Sequence, residues 1–217
     1  MTTKKYIIFD LDGLLIDSET LYQKASYELC SRFGKRPGPE LFQRAIGRKL
    51  AESMAIYVEM MDLPVTPQEL LVVMKDRMKE EIRNNLQMMP GAMDILKHFF
   101  NNYPLALATG SSQDLLKVVF ERTKINHFFD VIQSSDEVKN GKPDPEVFLK
   151  TMHKLRARPG ECIILEDAEN GVVAAHNAGA YVIAVPNKYT AGYDFSKADI
   201  ILPDLNAALQ HMKNKLL

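Results

Sequence analysis

The sequence has few cysteines, almost no net charge and no long hydrophobic run. Its two cysteines, Cys30 and Cys162, lie far apart, and no export signal precedes the first apolar segment, so both thiols are expected to be unpaired in a reducing compartment, the cytoplasm. A formal net charge of −1 provides no field that attracts nucleic acid or an anionic membrane. No apolar run approaches the length of a membrane span. We therefore expect a globular cytoplasmic protein without nucleic-acid or membrane partners, and a monomer, since no sequence feature demands a protein partner.

Short apolar segments alternate with amphipathic helical patterns along most of the chain. Most of the apolar segments are uniformly apolar, which is typical of strands that are covered on both faces of a sheet. This alternation predicts an α/β fold with a doubly wound parallel sheet of the Rossmann-like kind. The candidate strands are residues 6–9, 105–108, 130–133, 162–165, 181–185 and 199–202, and the candidate helices between them are 91–102, 112–123, 145–156, 168–178 and 204–215.

Residues 17–86 interrupt this alternation. They contain no convincing strand, but amphipathic stretches run over 18–33, 50–61 and 67–85. We interpret them as a helical subdomain that is inserted after the first strand. The predicted division of the chain is a core of residues 1–16 and 87–217 and an inserted helical segment of residues 17–86.

Two aspartates and a glycine end the first candidate strand. Asp10 and Asp12 are two residues apart, so an extended backbone directs both carboxylates to the same side. Two anions held together repel each other, and burial raises the cost. A divalent metal, a shared proton or a reaction that needs both groups would relieve this conflict. Taken alone, Asp12-Gly13 is equally typical of a hairpin turn.

Further polar motifs follow three other candidate strands. Ligands bind at the carboxyl ends of the strands in a doubly wound sheet, so these motifs are expected to meet. Each motif alone is compatible with a helix cap or a turn, but their coincidence at four strand ends favours one shared site. The residues are Thr109, Gly110 and Ser111 after 105–108, Lys142 after 130–133, and Glu166 and Asp167 at the end of 162–165.

The residue types at these strand ends indicate a metal-assisted reaction of phosphate. The carboxylates of Asp10, Glu166 and Asp167 form a hard, oxygen-rich ligand set, which is the kind that Mg²⁺ prefers and shares with substrate phosphate. The five histidines are scattered through helical stretches and are expected to be structural or exposed.

A phosphate site is expected beside the metal ligands. Thr109 and the backbone N–H groups of Gly110 and Ser111 are placed to hold phosphate oxygens at a helix N-terminus. Lys142 would supply a cation for the same anion.

The strand-end residues resemble the four motifs of the haloacid dehalogenase superfamily, in its phosphatase branch, and the resemblance extends over nearly the whole chain. Asp10-Leu11-Asp12-Gly13 looks like the first motif, Thr109 like the second, Lys142 like the third and Glu166-Asp167 like the fourth. The segment 17–86 is similar to the helical cap of the first type in this family, and we call it the cap. Residues 46–49 and 88–92 are most similar to the pseudouridine-5′-phosphatase and sugar-phosphate phosphatase group.

The resemblance implies a Mg²⁺-dependent phosphomonoesterase that acts on a small phosphate ester, a nucleotide or sugar phosphate such as pseudouridine 5′-phosphate. Asp10 would attack phosphorus and form an aspartyl-phosphate. Asp12 would protonate the leaving group and then activate water. Lys142 and Mg²⁺ would neutralise the like charges of carboxylate and phosphate.

The resemblance also implies metal ligands and substrate contacts. Beside Asp10, Asp167 would bind Mg²⁺ directly, Glu166 directly or through water, and Asp12 through its backbone carbonyl. The candidates for contact with the leaving group are the cap residues Glu19, Arg48 and Lys49, with ordinary solvated charges as the alternative at these positions.

Two other activities are weighed against hydrolysis. A phosphomutase similar to β-phosphoglucomutase needs a second phosphate contact, and such mutases carry an arginine further along the cap loop, where this chain has Leu50 or Ala51. That difference counts against a mutase. Signalling receiver domains also combine acidic residues, Thr, Lys and Mg²⁺, but their phosphorylated aspartate lies on a later strand and they have no helical insertion.

Overall fold

The computed structural model describes residues 3–216, which contain one six-stranded parallel sheet with the strand order β3-β2-β1-β4-β5-β6. This architecture confirms the predicted α/β fold with a doubly wound parallel sheet. The two innermost strands, β1 and β4, pair along their full common length. The strands are β1 (Tyr6–Phe9), β2 (Leu105–Ala108), β3 (Val131–Gln133), β4 (Cys162–Glu166), β5 (Tyr181–Ala184) and β6 (Ile200–Ile201).

Nine α-helices accompany the sheet within residues 3–216, and four of them lie in the cap. The helices are α1 (Ser18–Ser31), α2 (Pro39–Ala45), α3 (Leu50–Met61), α4 (Pro67–Asn85), α5 (Ala92–Phe99), α6 (Gln113–Thr123), α7 (Glu146–Leu155), α8 (Glu169–Asn177) and α9 (Leu205–Lys215). The sequence prediction missed α2. This helix has only 7 residues, begins at a proline and buries only Leu41, so it carries no readable helical period.

The central strands are largely apolar up to their carboxyl ends because both faces of the sheet are covered. Ile7 and Phe9 pack into a core that continues into the cap. Ile8, which points the other way, packs with Val172 of α8 and Phe148 of α7. Alternating side chains therefore enter two different cores, and neither set needs polar residues.

The cap leaves and rejoins the core at adjacent backbone positions. Ile16 forms an antiparallel bridge with Met88, and the Asp17 amide donates to the Gln87 carbonyl at 3.0 Å. The division into a core and a cap at these positions stays a prediction, and this pairing of the two connecting segments supports it.

Two sequence expectations concern redox state and membranes. Cys30 and Cys162 are free thiols, and both are buried. Within residues 3–216, no helix combines the length and apolar composition that a bilayer span requires.

Candidate active site

The strand order brings the sequence motifs to one edge of the sheet. Phe9 of β1 pairs with Leu107 of β2 and with Leu165 of β4, so Asp10 follows the central strand between the ends of its two neighbours. The Asp10 amide continues the ladder by donating to the Leu165 carbonyl at 3.1 Å. Parallel pairing alone therefore places the first, second and fourth motifs side by side.

Lys142 reaches this edge from the loop between β3 and α7, and it is almost fully buried. Its Nζ donates to Asp10 Oδ1 at 2.6 Å and also to Glu166 Oε1. A third bond runs to the Ala108 carbonyl at 3.3 Å, and Nζ lies 4.8 Å from the centre of the Phe148 ring. Burial alone would lower the pKa of Lys142, but the two carboxylates outweigh it and hold this pKa above its ordinary value.

Asp10, Glu166 and Asp167 form a buried carboxylate cluster. One oxygen of each lies within 4.8 Å of the others. Burial raises the pKa values of Asp10 and Asp167 well above their ordinary range, and the neighbouring carboxylates add to the effect. When all three carboxylates are ionised, the cluster and Lys142 together carry a net charge of −2. This excess, together with the hard oxygen donors, fits a divalent cation such as Mg²⁺.

Asn187, which the sequence analysis did not assign to the site, supports Asp167, and Gly13 lies close to both. Asn187 Nδ2 donates to Asp167 Oδ2 at 2.8 Å and to the Gly13 carbonyl at 3.1 Å. Gly13 has a φ of +79°, and a β-carbon there would lie 2.2 Å from Asp167 Oδ2. Asn187 belongs to no recognised motif, and its only sequence signal is its position soon after β5.

Asp12 lies beside the cluster, and hydroxyl groups hold its carboxylate. Asp12 Oδ2 accepts from Ser111 Oγ at 2.8 Å and from Thr109 Oγ1 at 3.1 Å. The Ser111 amide donates to Thr109 Oγ1 at 3.0 Å, which ties the turn after β2 together. The first and second motifs are therefore in direct contact.

A cavity of about 70 Å³ lies between these strand ends and the cap. Asp10, Asp12 and Lys142 line it on the core side. The cap side is largely apolar and aromatic. Its wall includes Tyr22, Phe42, Leu50, Met54, Tyr57 and Met74.

The three cap residues predicted to contact substrate lie in different environments. Glu19 lines the cavity, and burial together with the nearby Asp12 and Asp10 raises its pKa to about 8. Arg48 also lines the cavity, and its backbone carbonyl would lie 3.0 Å from a β-carbon at Gly110. Lys49 is not among the lining residues.

Comparisons with known proteins agree with this geometry. A family model described as haloacid dehalogenase-like hydrolase matches residues 7–185. A probable pseudouridine-5′-phosphatase of Drosophila melanogaster is 35% identical over 92% of this chain and 89% of its own. (DL)-glycerol-3-phosphatase 2 of Arabidopsis thaliana is 33% identical over 84% of this chain and 79% of its own.

A solved structure shows the same fold. The crystal structure of a putative β-phosphoglucomutase from Thermotoga maritima matches 98% of this chain and 100% of its own with a TM-score of 0.77 at 28% identity. Because the family match extends over most of the sequence, this protein belongs to the haloacid dehalogenase-like hydrolases.

Proposed function

We propose that the protein is a Mg²⁺-dependent phosphomonoesterase that hydrolyses a small phosphorylated metabolite through an aspartyl-phosphate. The observation that carries the proposal is the buried bonding of Lys142 to both Asp10 and Glu166, next to Asp167. A structural ion pair would need one carboxylate for one lysine. Three buried carboxylates around a single lysine are instead suited to a second cation and a phosphate group.

Asp10 is the proposed nucleophile. One of its carboxylate oxygens forms the bond to phosphorus as the bond between phosphorus and the leaving-group oxygen breaks. Lys142 supplies positive charge at this carboxylate, which otherwise repels a phosphate dianion. When bound, Mg²⁺ would supply further neutralising charge, held by Asp10, Glu166 and Asp167 and by the Asp12 backbone carbonyl.

Asp12 is the proposed general acid and base. It gives its proton to the departing oxygen and then accepts a proton from the water that attacks phosphorus and releases Asp10. The hydroxyls of Ser111 and Thr109, which bind Asp12 Oδ2, hold its carboxylate at the edge of the cavity. Thr109, Gly110 and Ser111 are the residues that we propose for phosphate binding, and phosphate would there replace Asp12 and Thr109 as the acceptor of the hydroxyls and of the Ser111 amide.

The cap wall supports a nucleotide or sugar phosphate as substrate. Tyr22, Phe42 and Tyr57 offer aromatic surface to a leaving group, and we propose Glu19 and Arg48 as its polar contacts. Pseudouridine 5′-phosphate is the first compound to test, because the relative from Drosophila melanogaster bears the name of that activity. We further propose a monomer in the cytoplasm, a compartment that suits two free, buried thiols.

A sugar phosphomutase is the second candidate, favoured by the similarity to the putative β-phosphoglucomutase. A mutase must hold a second phosphate at the far end of its cavity. Leu50 lines that cavity here, at or next to the position where the resemblance places an arginine in mutases. The mutase would yield an isomerised sugar phosphate, whereas the phosphatase yields free phosphate.

The test is Mg²⁺-dependent phosphate release from a panel of phosphomonoesters. The panel contains pseudouridine 5′-phosphate, nucleoside monophosphates, hexose phosphates and glycerol phosphates. We expect Asp10→Asn to lower turnover by more than about 10³-fold with an unchanged circular dichroism spectrum, while Asp76→Asn on the exposed side of α4 leaves turnover unchanged. Equal turnover by wild-type protein and Asp10→Asn would contradict the nucleophile, and isomer formation without phosphate release would favour the mutase.

A further inference from the structure

Two charged side chains at the start of α3 bind the loop that carries Lys142. Lys49 Nζ donates to the carbonyls of Val138 at 2.6 Å and Lys139 at 3.0 Å. Three residues further along the chain, Glu52 Oε1 accepts from the Gly141 amide at 3.2 Å. Both contacts join the cap to the core loop 138–142.

On the core side, a carboxylate of α7 binds backbone amides of the same loop. The Glu146 carboxylate of α7 accepts from the amides of Lys139 and Asn140, the shortest contact being 2.9 Å. The carbonyls at 138 and 139 and the amide at 141 are left for the cap. Lys49 and Glu52 therefore supply the hydrogen bonds that the core side does not give to these groups, in the segment that leads directly into Lys142.

Gly141 shows how closely the cap approaches this loop. A β-carbon on Gly141 would lie 2.7 Å from Glu52 Oε1 and 2.8 Å from Lys49 Cγ. The backbone of Gly141 does not lie in the left-handed region that favours glycine. The residue at this position is therefore limited by the contact with α3 and not by backbone conformation.

The cavity between cap and core is small for the proposed substrates. A void of about 150 Å³ holds a benzene molecule, whereas this cavity measures about 70 Å³. A movement of the cap away from the core that admits a nucleotide or sugar phosphate would separate Lys49 and Glu52 from the loop, and closure of the cap would restore their contacts.

We propose that Lys49 and Glu52 are positioning residues that fix the loop 138–142, and through it Lys142, each time the cap closes on substrate. This inference rests on the proposed phosphatase function for its effect on catalysis. It gives Lys49 a role at the junction of cap and core instead of a contact with the leaving group. Lys142 is then fully placed only when the site is closed, which limits attack by Asp10 to the closed state.

The test uses the full chain and the variants Lys49→Met, Glu52→Gln and Gly141→Ala. The matched controls are Glu59→Gln, an exposed glutamate of the same helix, and Gly192→Ala, where a β-carbon has no atom within 4 Å. The first measurement is amide hydrogen exchange of the segment 138–142 without any ligand. We expect exchange to be faster by about tenfold in the three variants, as loss of a charge-assisted hydrogen bond implies, and unchanged in both controls.

The second measurement separates kcat from KM for the best substrate of the panel. We expect kcat to fall about tenfold or more in all three variants, because a small misplacement of a charged group is costly, with a smaller change in KM and a melting temperature that matches the controls. Lys49→Met and Glu52→Gln remove opposite charges, so a common loss of kcat points to the loop, whereas a rise in KM in Lys49→Met alone would indicate a substrate contact.

Unchanged hydrogen exchange in the three variants would contradict the claim that Lys49 and Glu52 hold the loop. Faster exchange with an unchanged kcat would contradict the claim that the loop must be held in order to place Lys142. Absence of phosphate release from wild-type protein and Glu59→Gln alike would contradict the proposed function. Hydrogen exchange does not depend on turnover, so in that case it would still test whether Lys49 and Glu52 hold the loop 138–142.

Discussion

Gly13 and Asp167 lie so close that a β-carbon on Gly13 would be 2.2 Å from Asp167 Oδ2. We expect Gly13→Ala to displace Asp167 or Asn187 and to abolish Mg²⁺-dependent turnover. The measurement is phosphate release as a function of Mg²⁺ concentration. The φ of +79° at Gly13 also adds backbone strain of about 1–2 kcal/mol for an L-residue.

Gly34→Ala is the matched control for this prediction. Gly34 has a φ of +66°, but a β-carbon there would meet no atom within 4 Å. The strain is therefore similar, and the contact with Asp167 is absent. We expect Gly34→Ala to lower stability to urea and to keep full turnover, so equal turnover by the two alanine variants would contradict the role of the close contact.

Asn187→Ala is expected to weaken metal binding without removing a metal ligand. Asn187 orients Asp167 through the bond of 2.8 Å, and loss of such a supporting bond typically lowers metal affinity by about 10–100-fold. We expect the half-saturating Mg²⁺ concentration to rise by that factor, while kcat at saturating Mg²⁺ changes much less. Asn102→Ala on the exposed surface provides the control, and an unchanged Mg²⁺ dependence in Asn187→Ala would contradict the assignment.

Glu81 of α4 is a buried carboxylate that stabilises the cap. Its oxygens contact Lys24 Nζ at 2.9 Å, Arg77 Nη2 at 2.6 Å and Asn85 Nδ2 at 2.7 Å. Burial alone would raise the pKa of Glu81, but Lys24, Asn85 and Arg77 outweigh it and hold the pKa below the ordinary value of 4.5. We expect Glu81→Gln to lower the free energy of unfolding by about 2 kcal/mol near neutral pH.

The pH dependence of this loss has a definite sign. Because the pKa of Glu81 is lower in the folded protein, its stabilisation is complete above the ordinary value of 4.5 and is lost as the pH falls through the folded value. The difference in unfolding free energy between wild-type protein and Glu81→Gln is therefore expected to shrink below that pH in urea titrations. Glu80→Gln, which removes an exposed partner of Arg77, serves as the control, and a difference that grows in acid would contradict the prediction.

The core of the fold could be predicted because its strands are buried on both faces. β1 and β2 have the predicted bounds, and the other strands differ from prediction by one residue at one end, or at both ends for β6. Residues 12–16 form a turn, as the Asp12-Gly13 pair alone favours, but not a hairpin, because the bridge between Asp12 and Ile16 is parallel. The Gly13 amide donates to the Ile16 carbonyl at 2.9 Å in a turn, and the same turn carries Asp12 into the site.

Some parts of the site could not be predicted because a single sequence does not reveal where a loop returns or which way a side chain points. Asn187 contacts Asp167 although no motif joins them, because β5 lies next to β4 and its following loop returns over the strand end. Lys49 and Arg48 are adjacent in sequence, yet the Lys49 side chain binds the core loop, whereas Arg48 lines the cavity and its Nε donates to the Arg44 carbonyl. Side-chain direction at the start of a helix depends on the packing of the whole cap, so the contact of Lys49 with the core loop could not be predicted.

The pairing of Ile16 with Met88 has a consequence for how this family can diversify. The entropy cost of closing a loop grows only with the logarithm of its length, by about 0.6 kcal/mol for each doubling, once its ends are close together. Here the bridge between Ile16 and Met88 holds the two ends as neighbours. Insertions, deletions or complete replacement between them therefore cost the core little, and this third of the chain can change while the carboxylates at the strand ends keep their positions.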